Sequence, residues 1–192
     1  MRRLVSVLLA LGLGACGGPA RPTPVDVAGF PLPEGRHLLM VVDAELGMIC
    51  SGIGGGGLSR YPAAVAVPGT ATMQGDTWVL RPDDPASGSF EVRLRVASDA
   101  GSATGVALTG SITGVANHFT AGFPALSQHF PGFGTEPAQA NFGSGVTATG
   151  HAMSSGRILA SGELRGEVTF IGGGMSCDGS PAWSIGSLAG LP

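Results

Sequence analysis

Along most of the chain, apolar and polar residues alternate one by one. "FEVRLRV", residues 90–96, puts Phe90, Val92, Leu94 and Val96 on one face and Glu91, Arg93 and Arg95 on the other. "ILASGELRGEVTF", residues 158–170, keeps the alternation through 13 positions. That length exceeds an ordinary strand and predicts one long bent strand, or two separated by a kink. "VALTGSI" (106–112) and "VTATGHA" (146–152) alternate in the same way, and "LLMVV" (38–42), "TWVLR" (77–81) and "AWSI" (182–185) read as further strands. Turn-forming clusters such as "DPASG", "SDAGSATG", "MSSG" and "CDGSP" separate them. Links of that length join antiparallel neighbours only. Gly110, Gly150, Gly162 and Gly166 fall in phase with the apolar positions, where glycine marks bends, close backbone approach or barrel corners. The pattern therefore predicts an all-β fold: an antiparallel meander forming a closed or nearly closed β-barrel, with a β-sandwich as the alternative.

One region departs from the pattern. Residues 116–145, "ANHFTAGFPALSQHFPGFGTEPAQANFGSG", show neither period, apart from a short helix expected over residues 124–130 with proline at its first position. Five of the eight phenylalanines lie here, Phe119, Phe123, Phe130, Phe133 and Phe142, together with His118 and His129. A connection this long is commonly a lid or binding loop. Two readings stand: an aromatic wall that binds an apolar ligand or partner, or a plug whose phenylalanines complete the core.

The beginning of the chain has a different character. Arg2 and Arg3 precede an apolar run from Leu4 to Ala15, too short to span a bilayer as a helix and of the kind found in export signals. It ends in Leu13, Gly14, Ala15 and Cys16. These residues resemble the lipobox of bacterial lipoproteins. The resemblance covers residues 1–18 and implies cleavage before Cys16, acylation of that cysteine and stable anchoring by several acyl chains. Gly17, where aspartate is absent, implies transfer to the outer membrane. The chain thus divides into a signal peptide (1–15), a lipidated cysteine with a proline-rich tether (16–35), and one all-β domain (36–192). The tether holds five of the 14 prolines and is expected to act as a semi-rigid spacer.

Cleavage removes Arg2 and Arg3 and takes the formal net charge from −3 to −5. A mildly acidic domain with no lysine is a poor partner for nucleic acid, whose affinity comes from neutralised phosphates. With Cys16 assigned to lipid, Cys50 and Cys177 remain. An oxidising export compartment favours their disulfide, closing a loop of 126 residues and worth up to about 5 kcal/mol in the chain-entropy view. The alternative is two buried thiols that never meet.

Other motifs are weaker. Gly52, Gly54 and Gly57 spell G-x-G-x-x-G, but a dinucleotide loop needs a helix after it, and Pro62 and Pro68 follow instead. No G-x-S-x-G elbow is present. His37, His118, His129 and His151 lack zinc-site spacing, and Asp83 and Asp84 read as a solvated turn. No catalytic set, metal or cofactor is expected. The expected function is a membrane-anchored, non-catalytic binding or structural module for an apolar small molecule or another envelope protein. The alternative is a hydrolase using His118, His129 or His151.

Overall fold

A computed structural model describes residues 29–43, 49–52, 63–98, 105–118, 139–153, 156–172, 175–179, 181 and 182–188, with backbone alone for residues 43, 49–52, 63–64 and 175–179. The described residues form twelve strands and one 3-10 turn and contain no α-helix. The strands are β1 (Gly35–Asp43), β2 (Ile49–Gly52), β3 (Ala63–Gln74), β4 (Thr77–Pro82), β5 (Glu91–Val96), β6 (Ala107–Asn117), β7 (Gln139–Phe142), β8 (Thr147–Ala152), β9 (Ile158–Arg165), β10 (Val168–Gly172), β11 (Met175–Gly179) and β12 (Ala182–Ser187).

Eight of them close a ring in the order β6, β5, β4, β3, β1, β12, β9, β8 and back to β6, every pair antiparallel. The fold is therefore the closed antiparallel barrel that the alternation predicts. An eight-stranded barrel is just wide enough for its inward side chains to fill it. Here one continuous cluster does so, from Trp78, Leu94 and Leu108 through Val41, Val65 and Trp183 to Ile112 and Phe90.

The inward glycines make room for this filling. Gly150 and Gly162 face each other across β8 and β9. A Cβ on Gly162 would lie 2.5 Å from the Gly150 Cα, and one on Gly150 would lie 2.8 Å from the Trp183 ring. The indole rests on this flattened patch and donates from Nε1 to the Thr149 carbonyl at 3.2 Å.

The two ends of the barrel differ. At one end lie the short β3–β4, β5–β6 and β8–β9 links, and there the chain enters β1. At the other, the connections carry a second sheet in the order β6, β7, β10, β11, β2, called the flap below. β6 serves both: residues 107–113 pair in the barrel and residues 114–117 pair with β7. The 13-residue alternation splits at Gly166, whose φ of 126° turns the chain from β9 in the barrel to β10 in the flap. Ala116, Ala140, Phe142, Val168 and Phe170 on the inner face of the flap join the barrel core.

Four strands went unread in the sequence. β3 is the longest at 12 residues, and Pro68 interrupts its pattern. Proline is tolerated there because β4 pairs with β3 only from Gly69 onward, so the missing N–H faces no ladder partner. Residues 116–117 and β7, within the stretch read as patternless, are strand. The short helix expected over residues 124–130 lies outside the described residues.

Candidate functional site

Among the described residues, an open recess lies at the end where the chain enters β1. Residues 29–34, part of the stretch read as tether, cross this mouth and pack on it. Leu32 is 2 % exposed and belongs to the barrel core. Phe30 stacks on Trp78 with ring centroids 6.4 Å apart. The Pro33 carbonyl accepts from Trp78 Nε1 at 3.0 Å and from His37 Nε2 at 2.9 Å. Glu34 accepts from the Met73 amide at 2.5 Å. Together these bonds lock the chain across the mouth.

His37 is buried inside this clamp, its ring 5.5 Å from Trp78. Nε2 donates to the Pro33 carbonyl, and Nδ1 is buried without a well-aligned hydrogen bond. Burial lowers its pKa below the usual histidine value, against smaller opposing pulls from the Pro33 and Gly186 carbonyls.

Beside the clamp lies a recess of about 430 Å³ with Phe30, Met73 and Val96 as apolar walls and Gly29, Gly75, Asp76 and Arg95 at its rim. Val96 points the same way as the core residues Val92 and Leu94 yet is 37 % exposed, because it stands at the mouth. Arg95 donates to Thr77 Oγ1 at 2.7 Å and lies 3.6 Å from Asp76. The volume falls in the range of small-ligand sites, and apolar walls with a few polar groups at the rim suit them too. The polar side chains in its lining are Arg95 and Asp76, which can orient a ligand; the Thr77 hydroxyl beside them donates to Asp76 Oδ1 at 3.1 Å.

The residues singled out from the sequence scatter. Cys16, Phe119, Phe123, His129, Phe130 and Phe133 lie outside the described residues. Phe142 sits in β7 with its side chain in the core, 6 % exposed. His118 directly follows β6, where Nδ1 accepts from the Ala66 amide of β3 at 3.0 Å. This bond bridges two barrel strands above the point where β4 and β5 separate them. His151 is exposed on β8, facing outward. Asp83 binds Thr70 at 2.6 Å and Arg36 at 2.8 Å, and Asp84 caps the 3-10 turn Pro85–Ser87. Among the described residues no cluster of histidine, cysteine, aspartate and glutamate is fit to hold a metal. The backbones of Cys50 and Cys177 stand directly opposite each other on β2 and β11.

The mouth recess was missed because its parts were read under other headings. Phe30 lay in a proline-rich run, and Arg95 and Val96 were the end of a strand. The signal that could have located it is the apolar pair Phe30 and Leu32 between prolines, unusual for a solvated spacer. No protein-family model, no curated protein and no solved structure matches the chain.

Proposed function

We propose that this protein is a lipid-anchored component of the bacterial envelope whose barrel is a non-catalytic binding module for an apolar small molecule. The anchor reading rests on Arg2, Arg3, the apolar run and the Leu13–Cys16 box, with acyl chains on Cys16 and an outer-membrane address. That address is oxidising and favours pairing of Cys50 with Cys177. The binding reading rests on one observation above the rest. An apolar recess opens beside Phe30, at the end of the barrel where the anchored segment joins the domain. An envelope protein docking at this mouth is the other occupant compatible with the reading.

A hydrolytic role would need a histidine nitrogen ready to take a proton from a nucleophile. His118 commits Nδ1 to the Ala66 amide, and His151 faces outward from the barrel on β8.

Two measurements test the two halves. Intact-mass analysis of protein extracted from membranes should show an acylated cysteine at the N-terminus, and Cys16→Ser should release the chain to the soluble fraction. An unmodified, soluble wild type sinks the anchor. Titration of the folded protein with an apolar fluorophore should give saturable binding that Val96→Asp weakens about tenfold or more. Equal binding by both proteins sinks the recess as the site.

A further inference from the structure

The outermost pair of the flap brings two cysteines into register. β11 and β2 are antiparallel, with Met175 opposite Gly52, Ser176 opposite Ser51, Cys177 opposite Cys50 and Asp178 opposite Ile49. Directly opposed residues of an antiparallel pair have Cα atoms about 4.5 to 5.5 Å apart, inside the window a disulfide requires. The next ladders continue the row: Cys177 faces Phe170, Phe170 faces Ala140, and Ala140 faces Ala116. The last three are buried in the core, so the register puts both cysteines on the inner face of the flap. β2 itself is weakly held. It has four residues and, among the described residues, pairs only with β11. A short edge ladder of this kind opens readily by itself.

We propose that Cys50 and Cys177 form a cross-strand disulfide, and that this bond keeps β2 on the flap and thereby ties the β1–β3 connection to the β9–β12 connection. The inference rests on the proposed export of the chain. A disulfide donor of the envelope is attacked by one cysteine thiolate, giving a mixed disulfide. The second thiolate then displaces the donor, which leaves as a dithiol. The protein loses two electrons and two protons, and the donor gains them.

The test uses the full chain recovered from membranes, alkylated under denaturing conditions without reductant. The expected product is unlabelled at Cys50 and Cys177 and lighter than the dithiol by two hydrogens. Hydrogen exchange should then show the amides of residues 175–179 exchanging about tenfold faster in Cys50→Ser, with β1 and β3 amides unchanged. If that variant does not fold, mild reduction of the folded wild type gives the same comparison. Alkylation of both cysteines in exported protein overturns the bond, and a bonded protein whose residues 175–179 exchange alike before and after reduction overturns the fastening role. The same spectra report the lipid on Cys16, which separates the two proposals. If Cys16 is bare and the chain is not exported, purified protein is exposed to oxidised glutathione. Closure to an intramolecular disulfide upholds the register argument, and failure to close overturns it.

Discussion

Two residues show how much depends on single atoms inside this barrel. At Gly162 any side chain would drive a Cβ against the Thr149 carbonyl and to 2.5 Å from the Gly150 Cα. Overpacking of this kind typically costs 1–3 kcal/mol, and the partners here are backbone that cannot rotate away. Gly162→Ala should therefore lower the unfolding free energy by about 1 to 3 kcal/mol in urea titration. Gly145→Ala, where a Cβ meets nothing within 4 Å, should change it by no more than about 0.5 kcal/mol. Equal effects at the two sites would remove close packing as the reason for the inward glycines. His37 acts through protons instead. Unfolded, it titrates near 6.5, and in the fold its pKa is lower, so the unfolded chain takes up the proton first. Its contribution is intact above pH 6.5 and falls as the pH drops through that value toward the folded pKa. Urea midpoints should decline between pH 7.5 and 5.5, and by less in His37→Gln. Glu91 does not confuse this window. The hydrogen bond from Arg93, then that from Arg81, holds its carboxyl below its ordinary value of 4.5, so its share is lost only at more acid pH.

At the scale of elements, the decisive feature is the turn at Gly166. Ala160 and Leu164 before it and Val168 and Phe170 after it all face the core. The turn therefore redirects the chain without slipping its phase. That is why the alternation ran unbroken through 13 positions and left one bent strand and two strands as equal readings. A period of two records which face a residue occupies; it carries no record of φ. The same limit hid β3, where Pro68 and Gly69 sit in a strand that the ladder with β1 sustains over nine pairs. It hid β7, whose four residues alternate correctly but are too few to stand out. At Gly166 an alanine would keep a φ of 126° that L residues rarely adopt and bring its Cβ to 2.9 Å from the Val146 Cα. Strain at one such residue is worth about 1 to 3 kcal/mol. Gly166→Ala should show that loss, with faster hydrogen exchange in residues 168–172 and unchanged protection in β1 and β3. Uniform acceleration across both sheets would mean that the turn supports the whole barrel and not the flap in particular.

At the scale of the molecule, strand class was legible because inward and outward residues differ in polarity at every second position; a sandwich has the same alternation, and the inward glycines and short links favoured the barrel. The mouth was not legible, because its closing residues precede the first strand and have no period to betray them. Phe30 and Leu32 sit among prolines, where only their apolar character sets them apart from a spacer, and the folded chain shows Leu32 buried in the barrel core. A domain cut at residue 36, where the strand pattern begins, therefore loses part of its core. Leu32→Ala alone should cost about 2 to 5 kcal/mol, as for other buried leucines, and lower Tm by about 5 to 15 °C at this chain length. A chain of residues 36–192 should melt lower still than one of residues 29–192, since it also loses the Pro33 carbonyl that satisfies Trp78 and His37. It should in addition bind the apolar fluorophore poorly, because Phe30 forms one wall of the recess. Calorimetry and titration on the two lengths separate the outcomes. If both melt alike, residues 29–34 rest on the barrel without supporting it. If the shorter one melts lower but binds equally well, the ligand sits elsewhere and the mouth is structural.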